Sequence, residues 1–298
     1  MVTSFRNWWL TFRAANLPTA WSNVILGAAL SVDLWQAHDF QMLSWTALCI
    51  TLIYLGGMAI NDGGDVAFDR ACGSNRPVAR GKVGAKAALI IGIAMLFTGW
   101  AAQLAVVVCC KDCWIHAGVS VSALAVLVIL YQLLHRRSAT AALIMMAGCR
   151  FCVPILAATV LHDTVPAVVW WAAAAVACWT LGITATGRGE QGGEQRLETG
   201  SYWLSVASLG LFPIALTLPS PHWGAVGAGL VVLLAGWIPA VGRRCIMGRR
   251  SEAVCWAIAG LPVLDSAILL SAGHPEWAAL CMVLAAITLG AQRYGRGS

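Results

Sequence analysis

Asn61, Asp62, Asp65 and Asp69 bring one amide and three carboxylates into a short stretch, with the acids three and four residues apart. On a helix such positions share one face. Like charges so placed repel unless a cation lies between them, and hard divalent cations such as Mg2+ take oxygen ligands of this kind. Asn61 adds a neutral oxygen. Arg70, Arg76, Arg80 and Lys82 follow closely and suit the phosphate oxygens that Mg2+ leaves uncovered. The stretch reads as a metal and diphosphate site. A solvated polar loop between two membrane helices is the plainer alternative, opposed by the cost of holding acids at a membrane edge.

The elements that must position these groups are membrane helices. An apolar run from Met42 to Ile60 leads into the acidic stretch and another leaves it from Ala85. Of 298 residues, 59% are hydrophobic and 11% charged, and the mean hydropathy is +0.76; a soluble domain carries about 25% charged residues. A span needs about 20 apolar residues. Ten runs approach that length: Leu17 to Trp35, Met42 to Ile60, Ala85 to Val108, Trp114 to Leu134, Ala139 to Leu161, Val165 to Thr186, Tyr202 to Leu218, Trp223 to Val241, Ala253 to Ser271 and Trp277 to Ala291. None has the short alternating pattern of a membrane barrel. The expected fold is all-α, a polytopic transmembrane bundle in one membrane domain spanning residues 1–298.

With both termini in the cytoplasm, 17 of the 19 Lys and Arg fall on the inside, which sets the orientation in a cell inner membrane. The net charge of +6 then reflects loops beside anionic membrane lipid and requires no nucleic acid. Residues 1–16 mix aromatic residues and Arg and read as an interfacial amphipathic helix. The first run follows Arg6 and Arg13 and is long enough to remain as a helix instead of a cleaved signal. Residues 61–84 and 187–201 form two acidic cytoplasmic loops. The eleven cysteines mostly read as small apolar residues, with a Cys110–Cys113 disulfide left open.

Asn-Asp-x-x-Asp-x-x-x-Asp at the end of a second helix, followed by Asn75-Arg76-Pro77 and Arg80-Gly81, resembles the first aspartate-rich motif of the UbiA superfamily of intramembrane prenyltransferases. Arg13 to Thr19, with Asn23 and Gly27, is similar to that family's first helix and marks Arg13 and Asn16 as substrate-binding candidates. The resemblance implies nine spans around a cavity that opens to the cytoplasmic side. It also implies an Mg2+ cofactor, a prenyl diphosphate donor and a hydrophobic acceptor. The metal ligands would be Asn61, Asp62, Asp65, Asp69 and Glu190, the acids among them also being catalytic. At the end of the fourth helix the family places a Tyr and, four residues later, a Lys on the diphosphate; here Tyr131 and His135 stand at those positions. Arg136 offers a charge nearby, although on a continuing helix it points about 100° away from His135. Arg150 lies within a span, where a lone Arg costs at least about 2.5 kcal/mol unless paired or facing a wet cavity. Asp265 is a candidate partner, and a cavity position is favoured.

The family's second cluster is Asp-x-x-x-Asp after the sixth helix. Here Glu190, Glu194 and Glu198 recur every four residues behind Arg188, a glutamate version interrupted by glycines that disfavour a regular helix. Ile183-Thr184 through Arg188-Gly189-Glu190 resembles the divergent EboC-type branch. Arg76, Arg80, Arg136, Arg188 and Glu194 complete the substrate-binding candidates. The resemblance also admits a UbiA-like carrier or binding protein that holds a lipid-like or aromatic metabolite without bond making.

Overall fold

The long apolar runs fold as helices in the computed structural model, which describes residues 4–32, 34–109, 114–162, 164–188 and 250–296, with Trp237, Val241, Arg244 and Met247 besides. In chain order the helices are α1 (Phe5–Thr11), a single 3-10 turn (Ala14–Asn16), α2 (Pro18–Ala29), α3 (Ala37–Gly64) and α4 (Val66–Ala71). They continue with α5 (Ala85–Cys109), α6 (Trp114–Leu134), α7 (Ala139–Leu161), α8 (Ala167–Arg188), α9 (Arg250–Ser271) and α10 (Pro275–Arg296). Among the described residues seven helices, α3 and α5 to α10, are long and apolar enough to cross a membrane. The chain is a polytopic transmembrane helix bundle. The runs Tyr202 to Leu218 and Trp223 to Val241 lie outside the described residues apart from Trp237 and Val241.

The first run departs from expectation. Pro18 sits in the first turn, where its missing N–H is harmless, but α2 stops after 12 residues. The Ser31 amide and hydroxyl both bond the Ala28 carbonyl, at 3.0 and 2.8 Å, which tightens and closes the last turn. Twelve residues rise about 18 Å, short of a hydrocarbon core of about 30 Å. All of α2 but Trp21 is buried. It is a central strut between α7, α9, α10 and α3.

Two close crossings fix the helices that carry the charged groups. α3 and α5 meet in antiparallel contact through glycines: a Cβ on Gly92 would lie 2.8 Å from the Gly56 carbonyl oxygen, and one on Gly99 would lie 2.8 Å from that of Cys49. α2 meets α7 at Gly27, which faces the backbone of Pro154. Pro154 has no N–H to return to the carbonyl of Arg150 one turn earlier, a usual cause of bending. The residues around these crossings, Val24, Ala28, Ile53, Leu96, Val121 and Leu156, form one apolar core; Trp179, Leu261, Leu264 and Leu269 belong to a second, between α2, α8, α9 and α10.

Candidate functional site

α3 continues through the first acids instead of ending before them. Asn61 and Asp62 lie in its last turn, Asp65 joins it to α4, and Asp69 lies on α4. The expected loop 61–84 is therefore helical from its start to Ala71, with a joint at Asp65. The Asp65 amide bonds Asn61 O at 2.9 Å and the Asp69 amide bonds Asp65 O at 2.8 Å, so the spacing of four carries across the joint.

Each acid meets a cation. Asp62, 2% exposed, takes Arg13 at 3.3 Å and Arg76 at 3.4 Å on Oδ1. Arg76 also reaches Asp69 Oδ2 at 3.0 Å and so bridges two carboxylates. Asp65 accepts from Arg136 Nε at 2.6 Å and lies 3.1 Å from His135 Nε2. Arg136 also donates to Gly64 O at 2.9 Å and lies over the Phe68 ring, 5.6 Å from its centroid. Burial pushes the Asp65 carboxyl pKa up, but the His135 hydrogen bond and the Arg136 guanidinium outweigh it and hold it below the ordinary carboxylate value. The 100° separation expected between His135 and Arg136 does not apply, because α6 ends at Leu134 and residues 135–137 are a turn. Both side chains therefore reach one carboxylate.

Arg13 reaches Asp62 from a left-handed backbone, φ 48° and ψ 41°, the one non-glycine positive φ among the described residues. Such a conformation is costly for a residue with a Cβ and persists where surrounding structure enforces it. Here Tyr54 Oη donates to Arg13 O at 3.5 Å, and the 3-10 turn that follows carries Asn16. Gln292 of α10 donates to Asn16 Oδ1 at 2.9 Å.

These groups rim a cavity of about 520 Å³ whose deeper walls are Ile50, Ile53, Leu124, Val128, Val153 and Leu261. Arg13, Asn16, Asn61, Asp65, Arg76, Tyr131, His135, Arg136 and Arg150 all line it. Asp62 and Asp69 are buried beside it, held by Arg13 and Arg76. Arg80 is not among the lining residues: it is engaged with Asn75 Oδ1 at the surface. Arg188 ends α8, and Glu190 and Glu194, with the second acidic segment, lie outside the described residues.

Sequence reasoning missed Tyr54, Thr19 and Gln132. Arg150 donates to Thr19 Oγ1 at 2.9 Å and to Asn23 Oδ1 at 3.0 Å, and lies 5.9 Å from the Tyr54 ring centroid. Gln132 donates to Gly57 O at 3.0 Å and ties α6 to α3. A signal for Tyr54 existed: Ile50, Ile53, Tyr54, Gly57, Met58 and Asn61 recur at helical spacing, so the face that carries the acidic motif runs straight down into the bundle.

The donor set suits Mg2+, being hard oxygen throughout. Asn61 Oδ1 is buried and has no hydrogen-bond partner among the described residues, which is costly for an amide oxygen unless a ligand takes it. Among the described residues no three acidic, His or Cys side chains already converge on one point; the acids are neutralised by guanidinium groups.

Fold and site together define a polytopic membrane protein with an apolar cavity rimmed by acids and guanidinium groups. Residues 15–188 match the UbiA prenyltransferase family, and the chain belongs to it. Among solved structures it resembles a UbiA homologue from Aeropyrum pernix in its apo form, with 20% identity, a TM-score of 0.63 and coverage of 87% of this chain and 98% of that one. It also resembles a UbiA homologue from Archaeoglobus fulgidus bound to DMAPP and Mg2+, with 13% identity, a TM-score of 0.57 and coverage of 88% and 99%. The same homologue bound to GPP and Mg2+ aligns with 14% identity, a TM-score of 0.57 and coverage of 93% and 99%. No curated protein matches the chain by sequence.

Proposed function

We propose that the protein transfers a prenyl group from a prenyl diphosphate to a hydrophobic, aromatic acceptor, with Mg2+ at Asn61, Asp62, Asp65, Asp69 and Glu190. The observation that carries this reading is the arrangement of three acids, an unsatisfied Asn61 oxygen and three Arg around the mouth of an apolar cavity. The Archaeoglobus fulgidus homologue, bound to DMAPP or GPP with Mg2+, supports the ligand class. Bound Mg2+ supplies Lewis-acid neutralisation of the leaving diphosphate. Arg13, Arg76 and Arg136 hold its oxygens by charge-assisted hydrogen bonds. The C1–O bond breaks with its electron pair leaving on the diphosphate, the allylic carbon becomes cationic, and an acceptor carbon bonds to it and loses a proton. The apolar walls keep water from the cation, and the aromatic rings of Tyr54 and Tyr131 belong to the same lining. Arg188, Glu190 and Glu194 complete the substrate contacts in this reading. The resemblance of Ile183-Thr184 with Arg188-Gly189-Glu190 supports the EboC-type branch within this reading, and the Lys and Arg distribution supports cytoplasmic termini at the inner membrane.

The test is Mg2+-dependent binding and turnover of geranyl and longer prenyl diphosphates by protein in nanodiscs, with Glu190→Gln alongside the wild type. Loss of pyrophosphate release in Glu190→Gln supports two-sided metal binding. Wild-type protein that shows no Mg2+-dependent binding overturns the reading. The neutralised state of all three acids favours one second reading, a carrier that holds its ligand without ionising it. Binding without pyrophosphate release, whatever acceptor is added, is its signature.

The charge count gives a further prediction. Three guanidinium groups, of Arg13, Arg76 and Arg136, pair with the three carboxylates Asp62, Asp65 and Asp69. Mg2+ alone therefore meets no net negative charge, and metal and diphosphate should bind with positive, reciprocal coupling. Mg2+ alone is expected to raise the thermal midpoint of the wild type little, and Mg2+ with a prenyl thiolodiphosphate to raise it strongly. Arg76→Gln removes the cation shared by Asp62 and Asp69, so that variant should gain stability from Mg2+ alone. Thermal scans of both proteins with and without each ligand decide the point.

A further inference from the structure

Arg150 is a cation at membrane depth whose two hydrogen-bond acceptors are neutral. Nη2 donates to Thr19 Oγ1 and Nη1 to Asn23 Oδ1, leaving further donors of the guanidinium without a partner among the described residues. Among the described residues no carboxylate lies within ion-pair distance of it. An acidic side chain lies one residue behind. Asp265 of α9 is completely buried and accepts from Asn23 Nδ2 at 2.8 Å. Asp265 Oδ2 takes the amide nitrogen of Asn23, which leaves the amide oxygen facing Arg150. α9, α2 and α7 are joined in one line, Asp265 to Asn23 to Arg150.

Depth decides what this cation meets. Arg150 lies against Tyr54, seven residues and about 10 Å along α3 from Asn61. In the prenyl-transfer reading the diphosphate is held at the acidic rim, about two turns of α3 from the Tyr54 position. A cation at this depth also opposes the allylic cation unless an anion neutralises it.

We propose that Asp265, acting through Asn23, is a positioning residue for Arg150, and that Arg150 so held anchors an anionic oxygen of the acceptor below the diphosphate. This rests on the prenyl-transfer reading for the word acceptor, but not for the anion site itself. An acceptor carboxylate there would take the open donors of the guanidinium and cancel its charge.

The test uses biphenyl-4-carboxylate and biphenyl-4-carboxamide, matched in shape and differing by one charge, on full-length protein in nanodiscs. The wild type is expected to bind the carboxylate at least about tenfold more tightly, the worth of one charge-assisted hydrogen bond. A ratio near one in the wild type overturns the proposal without recourse to any variant. Arg150→Gln should bring the ratio to about one, as should Asn23→Asp, which puts a carboxylate directly on the guanidinium. Asp265→Asn separates positioning from a field effect. If Asp265 positions Arg150, the Asn23 amide becomes free to turn and the ratio falls; if it acts only by its charge, removing it strengthens anion binding and the ratio rises, which overturns the positioning role. Mg2+-dependent prenyl diphosphate binding is measured on the same samples. Its absence with an intact carboxylate preference removes the prenyl-transfer reading and leaves the anion site; its presence with no preference removes the anion site alone.

Discussion

Asp65→Asn is expected to cut Mg2+-dependent pyrophosphate release by at least about a hundredfold, the loss usual when one preorganised charge-stabilising group is removed, while the bundle stays folded. Asp65 is the one acid of the three that lines the cavity. Asp62 and Asp69 are buried beside it and tied down by Arg76. Asp65 also gathers the two cations at the end of α6, since His135 and Arg136 both reach it. The variant has the same shape, and its amide oxygen still accepts from Arg136 Nε. What disappears is the negative charge that a metal requires, together with the charge that draws Arg136 and His135 to the rim. Pyrophosphate release and circular dichroism on the same preparation separate the outcomes. A folded variant that releases pyrophosphate at the wild-type rate removes Asp65 from the chemistry. One that still binds prenyl diphosphate tightly with Mg2+ removes it from the metal site.

The acidic motif was readable because its signal is local. Spacings of three and four keep Asp62, Asp65 and Asp69 on neighbouring helical turns, and the structure keeps that spacing across the joint at Asp65. Helix positions were readable for the same reason, since apolar length suffices for α3, α5, α6, α7 and α9. Partners from distant parts of the chain were not. Arg13 meets Asp62 only because residue 13 adopts a left-handed turn, which no propensity of Arg announces. Arg150 and Asp265 stood out as charges within spans, yet their link runs through Asn23, an unremarkable amide in the apolar run of α2. The error over Arg136 shows the limit of periodicity. It assumed that α6 continued past His135, and one turn of unwinding was enough to swing Arg136 onto the same carboxylate as His135. The short α2 taught a similar lesson. A nineteen-residue, mostly apolar run fits a span by composition, but Ser31 closes the helix early, and burial on almost every side makes α2 part of the core instead of a lipid-facing span.

Gly27→Ala should be the most damaging Gly→Ala change among the described residues, destabilising the protein by at least about 3 kcal/mol, the upper end for overpacking a close crossing. A Cβ at residue 27 would lie 2.0 Å from the carbonyl oxygen of Pro154 and 2.6 Å from its carbonyl carbon and Cα. These are backbone atoms, so no side chain can rotate to make room. α2 and α7 would have to separate. Pro154 makes the accommodation harder, because its ring fixes φ and limits how α7 can bend there. The consequence reaches the site, since α2 carries Thr19 and Asn23 and α7 carries Arg150, joined across this interface by bonds of 2.9 and 3.0 Å. Gly290→Ala is the matched control: α10 offers nothing within 4 Å of its added Cβ, and Ala in a helix is favoured over Gly by up to about 1 kcal/mol. Thermal midpoints of the two variants in the same detergent should therefore move in opposite directions. A Gly27→Ala protein as stable as the wild type would mean that α2 and α7 do not pack through the Gly27–Pro154 crossing, and would undercut the placement of Arg150 against Asn23.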